Sequence, residues 1–222
     1  MLAGSLLQQC YNIADTLIVG QCIGANALAA VGSAYTLMVF LISILLGLSM
    51  GSGTVFSLQY GAGDLSALRR SIYVSFLLIG TVTILLNVAV FLWLDPILRW
   101  LQVPYDIYSL MRNYLWIIFW GIVFTFLYNF YAALLRAVGD SVTPLWFLAV
   151  SVVLNIGLDL FLILVLDQGI EGAAVATVIA QGTAASGILL YTYKIRPELR
   201  LHREDMRFDR SSLREITSFS TL

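Results

Sequence analysis

Charge is scarce in this chain. Of its 222 residues, 11% are charged and 60% are hydrophobic, where an ordinary soluble domain carries about 25% charged residues. With a mean hydropathy of +0.90, this balance excludes a soluble globular domain, and no nucleic-acid partner is expected. Histidine is nearly absent: the only one is His202, in a charged tail. Cysteine is little used, with Cys10 and Cys22 both in or near the first apolar segment. Neither has a base beside it in the sequence, so nucleophilic and zinc chemistry both lack their parts. The two cysteines read as small packing residues, not as a disulfide. The first segment has no basic region before it, and polar residues interrupt its apolar character, so it is not expected to be a signal peptide. Basic residues are also missing from the interior of every apolar segment, since each Arg and Lys maps to a loop, a helix end or the tail.

What the chain does have is long apolar runs. They predict an all-α, polytopic helix bundle with six membrane spans, over about 1–20, 28–59, 72–94, 109–134, 144–166 and 172–193. Residues 1–193 form this lobe. Residues 194–222 form a charged linker in which Pro197 ends the last helix, followed by the start of an amphipathic helix. In that last stretch Ser212 and Glu215 match a capping box, and Leu213, Ile216 and Phe219 recur at three-residue spacing. Trp93 and Trp100 suit the interfacial aromatic belt.

Punctuation supports these boundaries. Gly61-Ala62-Gly63-Asp64 reads as a glycine stop followed by an Asp cap for the next helix. Arg136-Ala137-Val138-Gly139-Asp140 repeats that logic before Pro144. Asp95-Pro96 reads as the cap and first residue of a short surface helix, and Pro104 opens the fourth helix. Gly47 and Gly51 form a G-x-x-x-G pair that permits close helix approach. The sixth span, rich in Ala and Gly, is expected to pack tightly. Ten basic residues fall on the side of the second and fourth loops and the tail, and two (Arg99 and Arg112) on the other. The positive-inside rule then puts both termini in the cytoplasm of a cell membrane.

Against this apolar background a few polar residues stand out. Asn155 and Asp159 lie one helical turn apart in the fifth span, with Ser151 one turn earlier. A carboxylate inside a membrane helix is costly and marks a functional site by default. Its best partner is Asp15, on a stripe with Gln8, Tyr11 and Asn12 at i, i+3, i+4 and i+7. Thr125, Tyr128 and Asn129 form a second stripe, and Thr177 and Gln181 a smaller one. Carboxylate, amide and hydroxyl oxygens around one cavity suit a hard cation. The duller readings are that Asn155 and Asn129 glue helices together, that Thr177 bonds its own helix backbone, and that Arg136 and Asp140 anchor a loop. If Asp15 and Asp159 share a cavity, they should behave as a coupled pair for which a proton and Na+ compete.

The segment Tyr11-Asn12-Ile13-Ala14-Asp15-Thr16-Leu17-Ile18-Val19-Gly20 resembles the first-helix signature of the multidrug and toxic compound extrusion (MATE) transporters. Leu28-Ala29-Ala30-Val31-Gly32, Gln59 to Asp64, Leu135 to Asp140 with Thr143-Pro144, and Asn155 to Asp159 are similar to that family in order and spacing. The resemblance implies twelve helices in two lobes, of which this chain matches the first. It implies export of small organic, often cationic, compounds in exchange for Na+ or H+, with no other cofactor. It places the coupling site at Asp15, Asn129, Asn155, Asp159 and Thr177, with Na+ held by Asp15, Asn155, Asp159 and Thr177. Its loop motifs map to Gly61, Gly63, Asp64, Arg136, Gly139 and Asp140. The expected partners are membrane lipid, the organic substrate and a second six-helix lobe, in cis or in trans. The chain departs from the family pattern by lacking the proline about four turns before the aspartate and by lacking the second lobe. The rival readings are an intramembrane aspartyl protease, a lipid-linked oligosaccharide flippase, and a non-transporting remnant or assembly subunit.

Overall fold

The computed structural model describes residues 13–201 and Asp205. It is a helix bundle, with no strand among the described residues. Seven α-helices follow in order: α1 (Ile13–Cys22), α2 (Ala25–Gly61), α3 (Leu65–Trp100), α4 (Tyr105–Trp120), α5 (Ile122–Ala137), α6 (Val142–Leu160) and α7 (Gly169–Ile195). A π-helical turn, Phe161–Val165, extends α6, and a short 3-10 turn, Pro197–Leu199, follows α7. Cys10, His202 and the predicted amphipathic helix from Ser212 lie outside the described residues.

Four helices, α2, α3, α6 with its π turn, and α7, are long and apolar enough to cross a membrane, and α4 with α5 forms a fifth, broken span. The chain is therefore a multi-pass membrane protein. The first span is described only from Ile13 onward. α7 is the most buried of the long helices, as its small residues predict. At Gly187 an added Cβ would lie 2.6 Å from Phe147 Cε1, so α6 and α7 pack at a distance that only glycine permits. Between α2, α3 and α5 an aromatic cluster fills the core: Phe76 lies 5.4 Å from both Phe126 and Phe130, and Phe56 is 6.0 Å from Phe130.

The two glycine–aspartate loops share one geometry. Gly63 (φ +75°) donates its N–H to Tyr60 O and Asp64 donates to Gln59 O, while Gly139 (φ +89°) donates to Arg136 O and Asp140 to Leu135 O. This is the Schellman pattern, which needs a residue in the left-handed region that residues other than glycine seldom adopt without strain. Each aspartate then caps the next helix. Asp64 Oδ1 accepts from Ala67 N at 2.9 Å, and Asp140 Oδ1 accepts from Thr143 N at 3.0 Å.

Two expectations are corrected and one is refined. The fourth span is not one helix over 109–134: it starts at Tyr105, right after Pro104, and bends by 45° between α4 and α5 at Gly121. A short helix does follow at Asp95-Pro96, as expected. α3 is two helices joined across a kink at Trp93 (φ −113°, ψ 15°), and the second part runs to Trp100. The kink falls three residues before the proline ring that disrupts the preceding turn. Asp95 also accepts from Arg112 Nε at 2.7 Å and from Tyr108 Oη at 3.0 Å, tying α3 to α4. Gly47 does not mark a close approach, since a Cβ there would meet nothing within 4 Å. Helix contact falls at Gly53, where a Cβ would lie 3.5 Å from Ala133 Cβ.

Ion pairs assign loops to faces. Arg196, just after α7, reaches Asp140 at 3.5 Å, and Arg69 reaches Asp205 at 3.5 Å. The two glycine–aspartate loops and the start of the tail therefore share one end of the bundle. At the opposite end, Asn113 Nδ2 of α4 donates to Glu171 Oε1 of α7 at 2.9 Å.

Candidate functional site

Asp159 comes into the bundle because α6 is apolar on all sides except the face carrying Ser151, Asn155 and Asp159. All three are buried, and Asn155 and Asp159 are fully so. Asp159 sits two residues before the π turn at Phe161, a helix irregularity often found at functional positions. Asp15, also buried, enters from α1, close enough to Asp159 for the two carboxyl groups to interact. Two carboxylates this close need a proton or a cation between them, because two bare negative charges would repel strongly where water is scarce.

Asn155 joins Asp159 to α7. With its amide nitrogen toward the acid, Asn155 donates to Asp159 Oδ2 at 3.0 Å and accepts from the Thr177 backbone N–H at 3.3 Å; this orientation serves both ends of the amide. The reverse orientation leaves a single contact of 3.4 Å to Thr177 Oγ1. In the first orientation Asp159, Asn155 and Thr177 form one connected cluster between α6 and α7.

Two oxygens of this cluster remain unengaged. Asp15 Oδ1 and Asp159 Oδ1 are buried and accept no hydrogen bond. Buried carboxylate oxygens are seldom left in that state without a reason. Together with the Thr177 hydroxyl of the same cluster they make a hard, all-oxygen donor set of the kind that suits Na+ and not a soft metal. Among the described residues no group of three or more His, Cys, Asp or Glu side chains could hold a metal ion, so any cation here relies on neutral oxygens beside the two carboxylates.

Of the five residues expected to form the site, four gather: Asp15, Asn155, Asp159 and Thr177. Asn129 turns its amide nitrogen to the Thr125 carbonyl oxygen of its own helix, at 2.8 Å. Its stripe partners look elsewhere too. Thr125 Oγ1 donates to Gln181 Oε1 at 2.8 Å, and Tyr128 Oη donates to Pro144 O at 2.9 Å.

The loop motifs are satisfied within themselves. Asp64 accepts from Ala67 N and Ser66 Oγ, which hold its carboxyl below the usual carboxylate range. At Asp140 burial works against the charge, but the Thr143 N–H, the Thr143 hydroxyl and Arg196 outweigh it and the carboxyl is again held low. Arg136 is exposed beside Gly139. These residues anchor loops and helix starts. Asn87 of α3, the lone amide of its span and so a signal visible in the sequence, donates to the Phe119 carbonyl oxygen at 2.9 Å, beside the break at Gly121.

The profile of the MatE family matches residues 1–161 of the chain. The chain is 37% identical over 194 residues to the probable multidrug resistance protein YpnP of Bacillus subtilis, a match covering 87% of this chain and 44% of that protein. It is 33% identical over 220 residues to the probable multidrug resistance protein YoeA of the same organism, covering 97% and 46%. To the multidrug export protein MepA of Staphylococcus aureus it is 31% identical over 202 residues, covering 87% and 43%. Among solved structures, it superposes on a MOP superfamily transporter from Pyrococcus furiosus with a TM-score of 0.92 at 23% identity, over 100% of this chain and 49% of that one. An inward-facing and an outward-facing MATE family transporter, each at 23% identity, match with TM-scores of 0.90 and 0.91, over 96% and 100% of this chain and 49% and 50% of theirs. The chain thus spans about half the length of the relatives it matches.

Proposed function

The chain belongs to the MatE family of membrane transporters, and from that premise we propose that it is the first lobe of an antiporter exporting small organic, often cationic, compounds. In this reading one coupling ion, Na+ or H+, binds between Asp15 and Asp159. The observation that carries it is the pair of buried, facing carboxyl groups with two unengaged oxygens. The second lobe supplies the other wall of the transport cleft, and both termini lie in the cytoplasm of the cell membrane, where the basic residues of the loops and tail also fall.

Each residue has a part in this scheme. Asp15 and Asp159 carry the charge that the ion neutralises. Asn155, held by Thr177, fixes the Asp159 carboxylate and closes one side of the site. Thr177 adds a hydroxyl oxygen from α7. Because Asp15 stands on α1 and Asp159 on α6, an ion that relieves their repulsion changes how closely those helices pack. An interaction that differs between two states shifts the balance between them. In transporters built from repeats, such shifts rock one half against the other around a site near the bilayer midplane. Two aspartates in contact are also what an aspartyl protease needs. Membership of a transporter family favours transport over peptide cleavage.

The test is export by the complete transporter, with both lobes, under an imposed Na+ or proton gradient. Asp15→Asn and Asp159→Asn should each abolish gradient-driven export while the protein still reaches the membrane, since a neutral amide is easier to bury than a carboxylate. Normal gradient-driven export by both variants across a pH range of roughly 6 to 8 would remove the ion site from this pair.

A further inference from the structure

The broken span is braced by polar side chains that the ion site does not use. Where α4 meets α5, the Gly121 N–H reaches back only three residues, to Ile118 O at 2.8 Å. Asn87 of α3 donates to the Phe119 carbonyl on one side of the break. From the other side, Gln181 of α7 accepts the Thr125 hydroxyl at 2.8 Å. α7 presses directly on the break, for a Cβ on Gly121 would lie 2.9 Å from Val178 Cγ2 and 3.3 Å from Gln181 Oε1. Breaks of this kind survive in a bilayer only where neighbouring groups take up the hydrogen bonds that the helix gives up.

The Thr125 hydroxyl has a choice of two acceptors. Besides Gln181, it lies 3.4 Å from Gly121 O, four residues back on its own chain. Back-bonding of that kind is what a threonine does in an uninterrupted helix. Gln181 draws the hydroxyl away from it and across to α7. The bracing shares a helix with the ion site: Thr177 is one turn before Gln181 on α7, and on α5 the Thr125 carbonyl accepts from Asn129. A small cavity of about 10 Å³ lies beside the bond, with Thr125 and Gln181 at its polar end and Met38, Leu41 and Ile122 among its apolar walls.

We propose that Gln181 is a positioning residue: its side-chain oxygen latches Thr125 to α7 and holds the broken span at its bend, which places α5 and Asn129 against the ion-binding helices. The latch stands on its own geometry. Its role in ion-coupled export rests on the function proposed above.

The bend can be read as a length. Two 16-residue helices at 45° are shorter end to end than one straight helix by about 4 Å. Spin labels at Tyr105→Cys and Arg136→Cys, both exposed positions, report this distance in the full-length protein in lipid, with Cys10→Ser and Cys22→Ser to remove the native thiols. Gln181→Leu and Thr125→Val, which delete the acceptor and the donor, should lengthen or broaden the distance by up to about 4 Å. Thr125→Ser keeps the hydroxyl and should return the wild-type distance, which separates loss of the latch from general damage. In the same variants the Na+ or proton concentration for half-maximal export should rise several-fold, with the maximal rate kept. Wild-type distances in both Gln181→Leu and Thr125→Val would overturn the latch, as would a Thr125→Ser distance shifted as far as that of Thr125→Val. If the distances shift as expected while Asp159→Asn still exports normally, the latch stands and the ion-site reading fails.

Discussion

Four aspartates in this chain have opposite fates. Asp64 and Asp140 follow left-handed glycines in matching loops, and each accepts from the N–H three residues ahead and from a nearby hydroxyl, Asp64 through Oδ1 alone and Asp140 through both oxygens. Asp15 and Asp159 sit inside helices, face one another, and each keeps one buried oxygen with no hydrogen bond. The residue type is the same, and what differs is whether an oxygen without a protein partner is open to solvent, as at Asp64, or buried, as at Asp15 and Asp159. A carboxylate oxygen open to water has little need of an ion, while an idle one in a dry site needs a partner.

The sharpest way to break this comparison is to neutralise all four residues in turn. Asp64→Asn and Asp140→Asn should keep gradient-driven export under conditions where Asp15→Asn and Asp159→Asn lose it, as read by substrate efflux at matched membrane abundance. If a loop variant lost coupling as completely as Asp159→Asn, idle oxygens would not be what marks the site. A smaller effect is expected one step out from the acids. Asn155→Leu removes the amide that holds Asp159, and by analogy with groups that orient metal ligands it should weaken ion affinity by about tenfold, as measured by the Na+ dependence of export. The smallest effect belongs to the loops. Asp140→Ala deletes a helix cap and should cost about 1 kcal/mol of stability, seen as a lower melting temperature. The Asp140 carboxyl is held below its ordinary value in the folded protein, so its contribution is present at neutral pH. It should fade as the pH falls below about 4, where the folded-state group also takes up its proton.

Much of this arrangement was legible in the sequence for physical reasons. Long apolar runs admit few structures in a bilayer, so the helices that end at Gly61, Ala137 and Ile195 followed from hydropathy and turn residues. The Asn155–Asp159 spacing put both side chains on one helix face, and the cost of a buried charge pointed from Asp159 to Asp15. The break at Gly121 could not be read this way, because a single glycine in a membrane helix says that a bend is allowed, not that one occurs. What decides it is pressure from Val178 and Gln181 and the support of Asn87, all far away in sequence. The same limit applies to Gly47: a small residue shows where helices are able to approach, and the contact with Ala133 falls at Gly53. Asn129 shares a helix face with Thr125, but a turn of its amide toward the backbone is a rotamer choice that no spacing encodes.

The central claim, one ion site shared by Asp15 and Asp159, is tested most directly by proton release. Purified full-length protein in weakly buffered solution receives Na+, and the pH is followed. If a proton and Na+ occupy the same place between the two carboxylates, Na+ should displace protons from the wild type and from Asp140→Asn, and none from Asp159→Asn. Equal release from the wild type and Asp159→Asn would contradict the claim.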